Sequence, residues 1–164
     1  MGGVMPIAVG DPVPSATLHR MGDSAPEPIQ SEELFAGRKV VLFALPGAFT
    51  PTCSAKHLPG FIELAREFQE KGIDEIVCLS VNDAWVMNAW GKAQGAADKV
   101  SMIADGNGEF TRGMGRQADM SVAGFGERSG RYAMIIEDGV VTHLNIEEPR
   151  KFEVSDAATM LSLL

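Results

Sequence analysis

A cysteine with unusual neighbours is the first candidate for chemistry in this chain of 164 residues. Cys53, one of two cysteines, lies in "LPGAFTPTCS" (45–54), directly after the apolar run "KVVLFAL" (39–45). Pro51 suits the first position of a helix and Thr50 suits the capping position before it, so Cys53 becomes the third helical residue. The unpaired N–H groups of a helix start stabilise an anion there. We therefore expect Cys53 to form a reactive thiolate, with the Thr50 hydroxyl close enough to hydrogen-bond the sulfur or an incoming oxygen.

An arginine far along the chain is predicted to meet this cysteine. The stretch "RYAMIIEDGVVTHLNI" (131–146) predicts a β-hairpin, because two apolar runs flank Asp138-Gly139, a favoured two-residue turn. If the first hairpin strand joins the sheet antiparallel, its start lies at the edge where the parallel strands end. Arg131, preceded by Arg128, could then approach Cys53. A guanidinium group there favours a thiolate and can polarise a bound oxygen.

His57 and Cys78 are two further side chains that could take part in chemistry. His57 lies four residues after Cys53, on the same face of a helix that runs that far. It either anchors the helix by a hydrogen bond or acts indirectly on the site. No further Cys or His is spaced to complete zinc coordination, so no metal and no cofactor are expected. Cys78, in the middle of the apolar run "EIVCLSV" (75–81), is expected to be a buried and inert thiol.

The elements that must position these residues follow from hydrophobic periodicity and turn residues. Three buried strands are predicted, at 39–45, 75–81 and 99–105. Helices are predicted at 31–37 with Ser31 as cap, from Pro51 to Gly72 with a kink at Pro59-Gly60, at 82–95 with Asn82 or Asp83 as cap, and at 155–164 with Ser155 as cap. Residues 19–30 are predicted to be a proline-rich loop joining short strands. The order of elements predicts an α/β fold with a mixed central β-sheet flanked by helices, compatible with a thioredoxin-like arrangement in a single domain over residues 1–164.

Composition narrows the class of protein. Apolar residues make up 45% and charged residues 22%, which is typical of a globular domain with a sizeable core. The formal net charge of −8 argues against nucleic acid or an anionic membrane as a partner. Two cysteines are too few for a secreted disulfide scaffold, and neither a signal peptide nor a membrane-spanning stretch is recognised. A cytoplasmic protein is therefore expected.

The stretch around Cys53 resembles a known enzyme family. Pro46, Thr50 and Cys53 reproduce the P-x-x-x-T-x-x-C signature of peroxiredoxins, which are thiol peroxidases with a thioredoxin-like fold. The longer context, with "PGAFTPTCS…HLPGF", "CLSVND", "RS.RYAM" and "EDG.V…N.E" in this order, is similar to the type II or type 5 peroxiredoxins over residues 5–164. The resemblance implies a thiol-dependent peroxidase that reduces hydrogen peroxide and alkyl hydroperoxides.

The resemblance also implies a role for each matched residue. Cys53 would be the cysteine whose thiolate attacks the peroxide and becomes a sulfenic acid. Thr50 would hold the thiolate and a peroxide oxygen by its hydroxyl, and Pro46 would shield the sulfur from bulk water and overoxidation. Arg131 would stabilise the thiolate and the charge of the transition state. Arg128 matches a nearby basic position, to which no role is assigned.

One departure from the family pattern bears on the reductant. Some members of the subfamily carry a second, resolving cysteine close to the C-terminus, whereas Val154 stands about where it would fall here. The expectation is a one-cysteine mechanism with an external thiol, either glutathione with glutaredoxin or thioredoxin. A fused glutaredoxin domain, which some relatives carry, is not expected after Leu164. The resemblance further implies a homodimer.

The same residues also bear on three other functions. A thioredoxin-type disulfide exchanger needs C-x-x-C, but Thr50 stands at the first of those positions. A cysteine hydrolase using Cys53 and His57 would need an oxyanion site and normally has its histidine on a separate element. A thioredoxin-like redox sensor or binding module is the remaining alternative, because it would share the first oxidation step and lack steady turnover.

Overall fold

Seven strands form one central sheet in the computed structural model, which describes residues 6–164. These strands are β1 (Thr17–Met21), β2 (Pro26–Gln30), β3 (Lys39–Ala44), β4 (Glu75–Ser80), β5 (Ser101–Ala104), β8 (Tyr132–Glu137) and β9 (Val140–Ile146). Two shorter strands, β6 (Gln117–Asp119) and β7 (Glu127–Ser129), pair as a separate ribbon. The helices are α1 (Ser31–Phe35), α2 (Leu58–Glu63), α3 (Ala65–Glu70), α4 (Ala84–Gln94), α5 (Glu109–Met114) and α6 (Ala157–Ser162). A π-helical turn over Cys53–His57 leads into α2, and a 3-10 turn spans Ser121–Ala123.

The sheet runs in the order β2-β1-β5-β4-β3-β8-β9 and is mixed. β3, β4 and β5 are parallel neighbours, whereas β8 pairs antiparallel with β3. Because the central strands are apolar on both faces, the sheet needs cover on both sides. One side packs against α2, α3, α4 and α6, and the other packs against α1 and α5. These observations confirm the predicted α/β fold with a mixed sheet flanked by helices.

The predicted hairpin carries Arg131 to the edge of the sheet where the parallel strands end. Asp138 and Gly139 form its two-residue turn, with φ of 48° and 77°, between β8 and β9. β8 pairs with β3 so that Tyr132 lies opposite Ala44, the last residue of β3. Arg131 therefore lies beside the chain as it leaves β3, as the hairpin pattern predicts.

Residues 19–30 are not a loop, so this prediction was wrong. β1 and β2 occupy most of the stretch and pair antiparallel along their whole length. Pro26 and Pro28 are compatible with β2 because it is an edge strand, where an outward-facing residue without an N–H group removes no ladder hydrogen bond. Only residues 22–25 connect the two strands.

Two of the predicted helix caps were also wrong. Gln30, not Ser31, precedes the first residue of α1, and the Ser31 hydroxyl donates instead to the Pro14 carbonyl at 2.8 Å. Asp156, not Ser155, caps α6 by accepting a backbone N–H three residues ahead. Both serines are completely buried, and their hydroxyl groups donate to other parts of the chain and do not cap these helices. A cap preference is a local tendency that such tertiary contacts override.

The helix that carries Cys53 is interrupted, although not where Pro59-Gly60 predicts a kink. It widens into the π turn over Cys53–His57 and continues as α2 through Pro59-Gly60. In the π turn the Leu58 N–H donates to the Cys53 carbonyl, five residues earlier. This wider turn directly precedes the proline, which has no N–H group to donate. A second break comes at Leu64, between α2 and α3.

Candidate active site

Cys53 lies at the start of the helix that follows β3, as the proline and threonine predict. The Ser54 N–H donates to the Thr50 carbonyl at 2.9 Å, which places Thr50 at the helix start. The Cys53 side chain is completely buried and belongs to the apolar cluster on the α2 side of the sheet. The thiol therefore lies at the positive end of a helix and away from bulk water, and the exclusion of water strengthens its interaction with a nearby charge.

Arg131 hydrogen-bonds the sulfur and a buried imidazole at the same time. Its Nη2 donates to Cys53 Sγ across 3.2 Å, and its Nη1 donates to His57 Nδ1 across 2.7 Å. The guanidinium group presents its donors in a rigid plane, so each contact helps to orient the other. The structure therefore brings the predicted Cys53 and Arg131 together, with His57 as a third partner.

His57 is held as a neutral imidazole. Its Nε2 lies 3.0 Å from the Ser155 carbonyl oxygen, which can only accept, so Nε2 carries the proton and Nδ1 accepts from Arg131. Burial first, and the positive charge of Arg131 second, lower the pKa of His57 to about 3. His57 thus makes an anchoring hydrogen bond and also contacts the site. Because neither nitrogen is free to take the Cys53 proton, a cysteine–histidine hydrolase would lack its base.

The turn between β3 and this helix contains Pro46 and Thr50. The Thr50 hydroxyl donates to the Gly47 carbonyl at 2.7 Å and accepts no helix N–H group among the described residues, so it closes the turn and is not the side-chain cap that the sequence predicts. Arg128 braces the turn from outside, because its Nη1 donates to the Pro46 carbonyl at 3.1 Å. A Cβ at Gly47 would lie 2.7 Å from Arg128 Nη1, so a side chain there would have to displace this guanidinium group. Arg128 therefore supports the turn that carries Pro46.

Asn82 fixes the same turn from the end of β4. Its Oδ1 accepts from the Ala48 N–H at 2.9 Å, while Asp83 is the residue that caps α4. Next to this contact, Phe49 has φ of 63° and is 57% exposed. Sequence reasoning missed this role of Asn82 and considered it only as a cap. A polar residue directly after a parallel strand was the available signal, because such strand ends line sites in α/β sheets.

The two tryptophans have different surroundings. Trp90 is completely buried, and its Nε1 donates to Ser54 Oγ at 3.0 Å. It therefore ties α4 to the residue next to Cys53, in addition to packing in the core. Trp85, five residues earlier on the same helix, is 56% exposed.

Cys78 is poorly placed for chemistry. It lies on β4 opposite Phe43 of β3 and is completely buried. Burial raises the pKa of its thiol well above the usual value, and a charge on Cys53 would raise it further. Cys78 therefore stays protonated, in agreement with the inert thiol expected at this position.

Residues 6–164 contain neither a metal-binding cluster nor a membrane-spanning helix. In that range no three His, Cys, Asp or Glu side chains cluster in a way that could hold a metal ion. None of the helices there has the length and apolar character needed to cross a membrane.

Two residues of the C-terminal segment complete the surroundings of Arg131, and sequence reasoning missed both. The ring of Phe152 lies 4.9 Å from the His57 ring and 5.7 Å from Arg131 Cζ. Glu147 is a buried residue whose backbone N–H donates to the Arg131 carbonyl at 3.0 Å. A lone acidic residue after a strand forms no recognisable pattern. The available signal was its place as the last residue of "EDG.V…N.E", within the stretch that resembles peroxiredoxins.

Comparisons with known proteins agree with this geometry. The profile of the Redoxin family matches residues 8–161. "Peroxiredoxin-2E-2, chloroplastic" of Oryza sativa subsp. japonica is 52% identical over 98% of this chain and 74% of its own length. Peroxiredoxin-2B of Arabidopsis thaliana is 48% identical over 97% of this chain and 99% of its own length. The crystal structure of reduced Prx3 from Vibrio vulnificus in complex with H2O2 has a TM-score of 0.92 at 52% identity, and covers 96% of this chain and 98% of that one.

These matches cover nearly the whole chain, both in amino-acid sequence and in backbone structure. They therefore show the family and not only the fold. A buried cysteine at a helix start, hydrogen-bonded by an arginine, agrees with thiol chemistry at this place. The chain belongs to the peroxiredoxins, in their type II branch, and is a thiol-dependent peroxidase with a thioredoxin-like fold.

Proposed function

We propose that Cys53 is the peroxidatic residue and that it reduces hydrogen peroxide and alkyl hydroperoxides. Its thiolate attacks the terminal peroxide oxygen, and an S–O bond forms as the O–O bond breaks. The electron pair leaves on the second oxygen, which takes up a proton and departs as water or an alcohol. Cys53 becomes a sulfenic acid. The observation that carries the proposal is the 3.2 Å contact between Arg131 Nη2 and Cys53 Sγ at a helix start.

The residues around the sulfur would each support this step. Arg131 favours the thiolate and can hydrogen-bond the oxygen on which charge develops. Thr50 has its proton committed to the Gly47 carbonyl, so its lone pairs would accept the O–H group of a bound peroxide. Pro46, held by Arg128, would cover the sulfur against water and a second oxidation.

The proposed reductant is an external thiol, either glutathione with glutaredoxin or thioredoxin. A thiolate of the reductant attacks the sulfenic sulfur, water leaves, and a mixed disulfide forms. A second thiol then releases Cys53 as the thiol. This proposal is supported by the state of Cys78, the one other cysteine of the sequence, which is completely buried on β4.

We also propose a homodimer located in the cytoplasm. Two exposed apolar side chains lie at the cysteine turn: Phe49, which belongs to the turn, is 57% exposed, and Phe125, whose carbonyl accepts from the Arg128 that braces the turn, is 39% exposed. Burying them against a second copy would remove apolar surface from water. The cytoplasmic location is supported by the two free cysteines, which suit a reducing compartment. Sedimentation of the reduced protein over a range of concentrations tests the dimer.

A single-turnover experiment tests the peroxidase proposal. The reduced protein is mixed with equimolar hydrogen peroxide, and mass spectrometry locates the modified residue. We expect rapid oxidation confined to Cys53, far faster than oxidation of free cysteine. Oxidation no faster than that of a free thiol, or equal oxidation at Cys78, would refute the role of Cys53.

A second measurement separates a peroxidase from a redox sensor. Excess peroxide is supplied with glutathione and glutaredoxin, or with thioredoxin and its reducing system, and peroxide consumption is followed. Steady consumption by one of these systems supports the proposed mechanism and identifies the reductant. Oxidation of Cys53 without turnover in either system favours the sensor.

A further inference from the structure

The Glu147 side chain organises a loop near the active site. Its Oε2 accepts from the N–H groups of Glu153, Val154 and Ser155 and from the Ser155 hydroxyl, and its Oε1 also accepts from Glu153, all at 2.7 to 2.9 Å. Although burial opposes ionisation, these hydrogen bonds hold the pKa of Glu147 below its usual range. The ionised carboxylate therefore binds three consecutive backbone N–H groups.

The loop held by Glu147 presents one acceptor to the active site. The Ser155 carbonyl accepts from His57 Nε2 at 3.0 Å, and this bond fixes which nitrogen of His57 carries the proton. A second anchor lies one residue earlier, where Asn145 Nδ2 donates to the Val154 carbonyl at 2.8 Å. The loop thus sets both the tautomer and the orientation of the imidazole.

The oriented imidazole in turn orients Arg131. His57 Nδ1 accepts from Arg131 Nη1, which leaves Nη2 directed at Cys53 Sγ. Among residues 6–164, the ion pairs involve other side chains, so no carboxylate neutralises Arg131. A neutral acceptor can fix the direction of a guanidinium group without cancelling its charge. The full charge therefore stays available to the thiolate.

We infer that Glu147 is a positioning residue for the reaction of Cys53 with peroxide, and that it acts through the Ser155 carbonyl and His57 on Arg131. This inference rests on the proposed role of Cys53. It assigns Glu147 no contact with the substrate. Without Glu147, the loop no longer holds the imidazole in one tautomer and direction, and Arg131 loses the partner that aims it at the sulfur. Small displacements of an oriented group slow a reaction strongly.

Glu147→Ala and Glu148→Ala make a matched pair of variants. Both remove one carboxylate from adjacent positions, but the exposed Glu148 side chain makes no hydrogen bond or ion pair among the described residues. The measurement is the rate constant for oxidation of Cys53 by hydrogen peroxide, with thermal unfolding of each variant to show that it is folded. We expect Glu147→Ala to lower the rate constant about tenfold and Glu148→Ala to leave it unchanged.

A double-mutant cycle tests the route through His57. His57→Leu removes the acceptor for Arg131, so Glu147→Ala should have almost no further effect on the rate in that background. Glu147→Gln keeps one acceptor oxygen and serves if Glu147→Ala fails to fold, which thermal unfolding of each variant reveals. We expect Glu147→Gln to be slower than wild type and faster than any folded Glu147→Ala protein.

The outcomes separate this inference from the proposed function. Slow oxidation of Cys53 in the wild-type protein would overturn the role of Cys53 itself. Fast oxidation in wild type and in folded Glu147→Ala or Glu147→Gln would overturn the inference and leave the peroxidase proposal standing. Equal slowing by Glu147→Ala with and without His57→Leu would show that Glu147 does not act through His57.

Discussion

Arg131 donates a hydrogen bond to Cys53 Sγ across 3.2 Å, although the two residues are 78 positions apart in the chain. Cys53 follows the end of β3 and Arg131 precedes the start of β8, and these two strands pair antiparallel. The two ends therefore meet at one edge of the sheet. Strand pairing thus brings the Arg131 guanidinium group to the thiol, and the hydrogen bond to His57 orients this group.

Replacing Arg131 by lysine should lower the rate of Cys53 oxidation about 100-fold, although the positive charge is kept. A lysine ammonium group is a point charge without the rigid fork that reaches both His57 Nδ1 and Cys53 Sγ. Rapid-mixing kinetics with hydrogen peroxide measure the effect. Arg66→Lys on the exposed surface of α3 is the control and should react like wild type. Nearly equal rates for the two variants would contradict the need for a guanidinium group.

Thr50→Val should slow peroxide reduction about 100-fold, whereas Thr50→Ser should retain most of the rate. Valine keeps the shape but removes the hydroxyl that donates to the Gly47 carbonyl at 2.7 Å and that offers lone pairs to a peroxide. The same rapid-mixing assay distinguishes the two variants. A fully active Thr50→Val protein would show that the hydroxyl is not needed for peroxide reduction.

Cys78→Ala should leave peroxide reduction unchanged and cost about 1 kcal/mol in the free energy of unfolding. Cys78 is completely buried and burial keeps it protonated, so it contributes packing and not chemistry. Steady-state peroxide consumption and urea unfolding provide the two measurements. Loss of turnover with intact single-turnover oxidation would instead assign Cys78 to the resolving step.

His57 should make the protein less stable as the pH falls below about 6.5. The folded pKa of His57 is lowered to about 3 from the usual 6.5, so the unfolded chain takes up the proton first. The stabilisation is fully present above pH 6.5 and is lost at up to about 1.4 kcal/mol per pH unit towards pH 3. Urea unfolding of wild type and His57→Asn at pH 7 and pH 5 measures it.

The difference between these two proteins isolates His57 from other titrating groups. Asparagine does not titrate, yet its Oδ1 can still accept from Arg131. We therefore expect wild type to lose more stability than His57→Asn between pH 7 and pH 5. Equal losses in both proteins would mean that the folded protein binds a proton at His57 as readily as the unfolded chain does, so that the pKa of His57 is not lowered by folding.

The central part of the site could be predicted from the sequence because each step follows from a local rule. A proline and a threonine mark the helix start at Cys53, and Asp138-Gly139 marks the hairpin that begins with Arg131. Strand polarity then brings the two side chains to one edge of the sheet. The resemblance to peroxiredoxins implied the roles of these residues, but the contact between Cys53 and Arg131 could be predicted without it.

The rest could not be predicted, because it depends on competition between local and distant partners. Ser155 is as good a cap as Asp156 by residue type, but Glu147 takes its hydroxyl. Glu147 bonds mainly backbone N–H groups, which every residue except proline possesses, so no residue pattern marks its partners. Likewise, a π turn depends on how the helix accommodates its proline and its neighbours.

The prolines of β2 have a consequence for self-association. In β2 the ladder to β1 uses the backbone groups of alternate residues, so the backbone nitrogens of Pro26 and Pro28 lie on the open side of the strand. Neither proline has an N–H group to offer there. At the other end of the sheet, β9 has a register irregularity opposite β8, and its Val140 is bridged by Pro12. Both outer strands are thus poor templates for a further strand, which protects the folded peroxidase against edge-to-edge aggregation at high concentration.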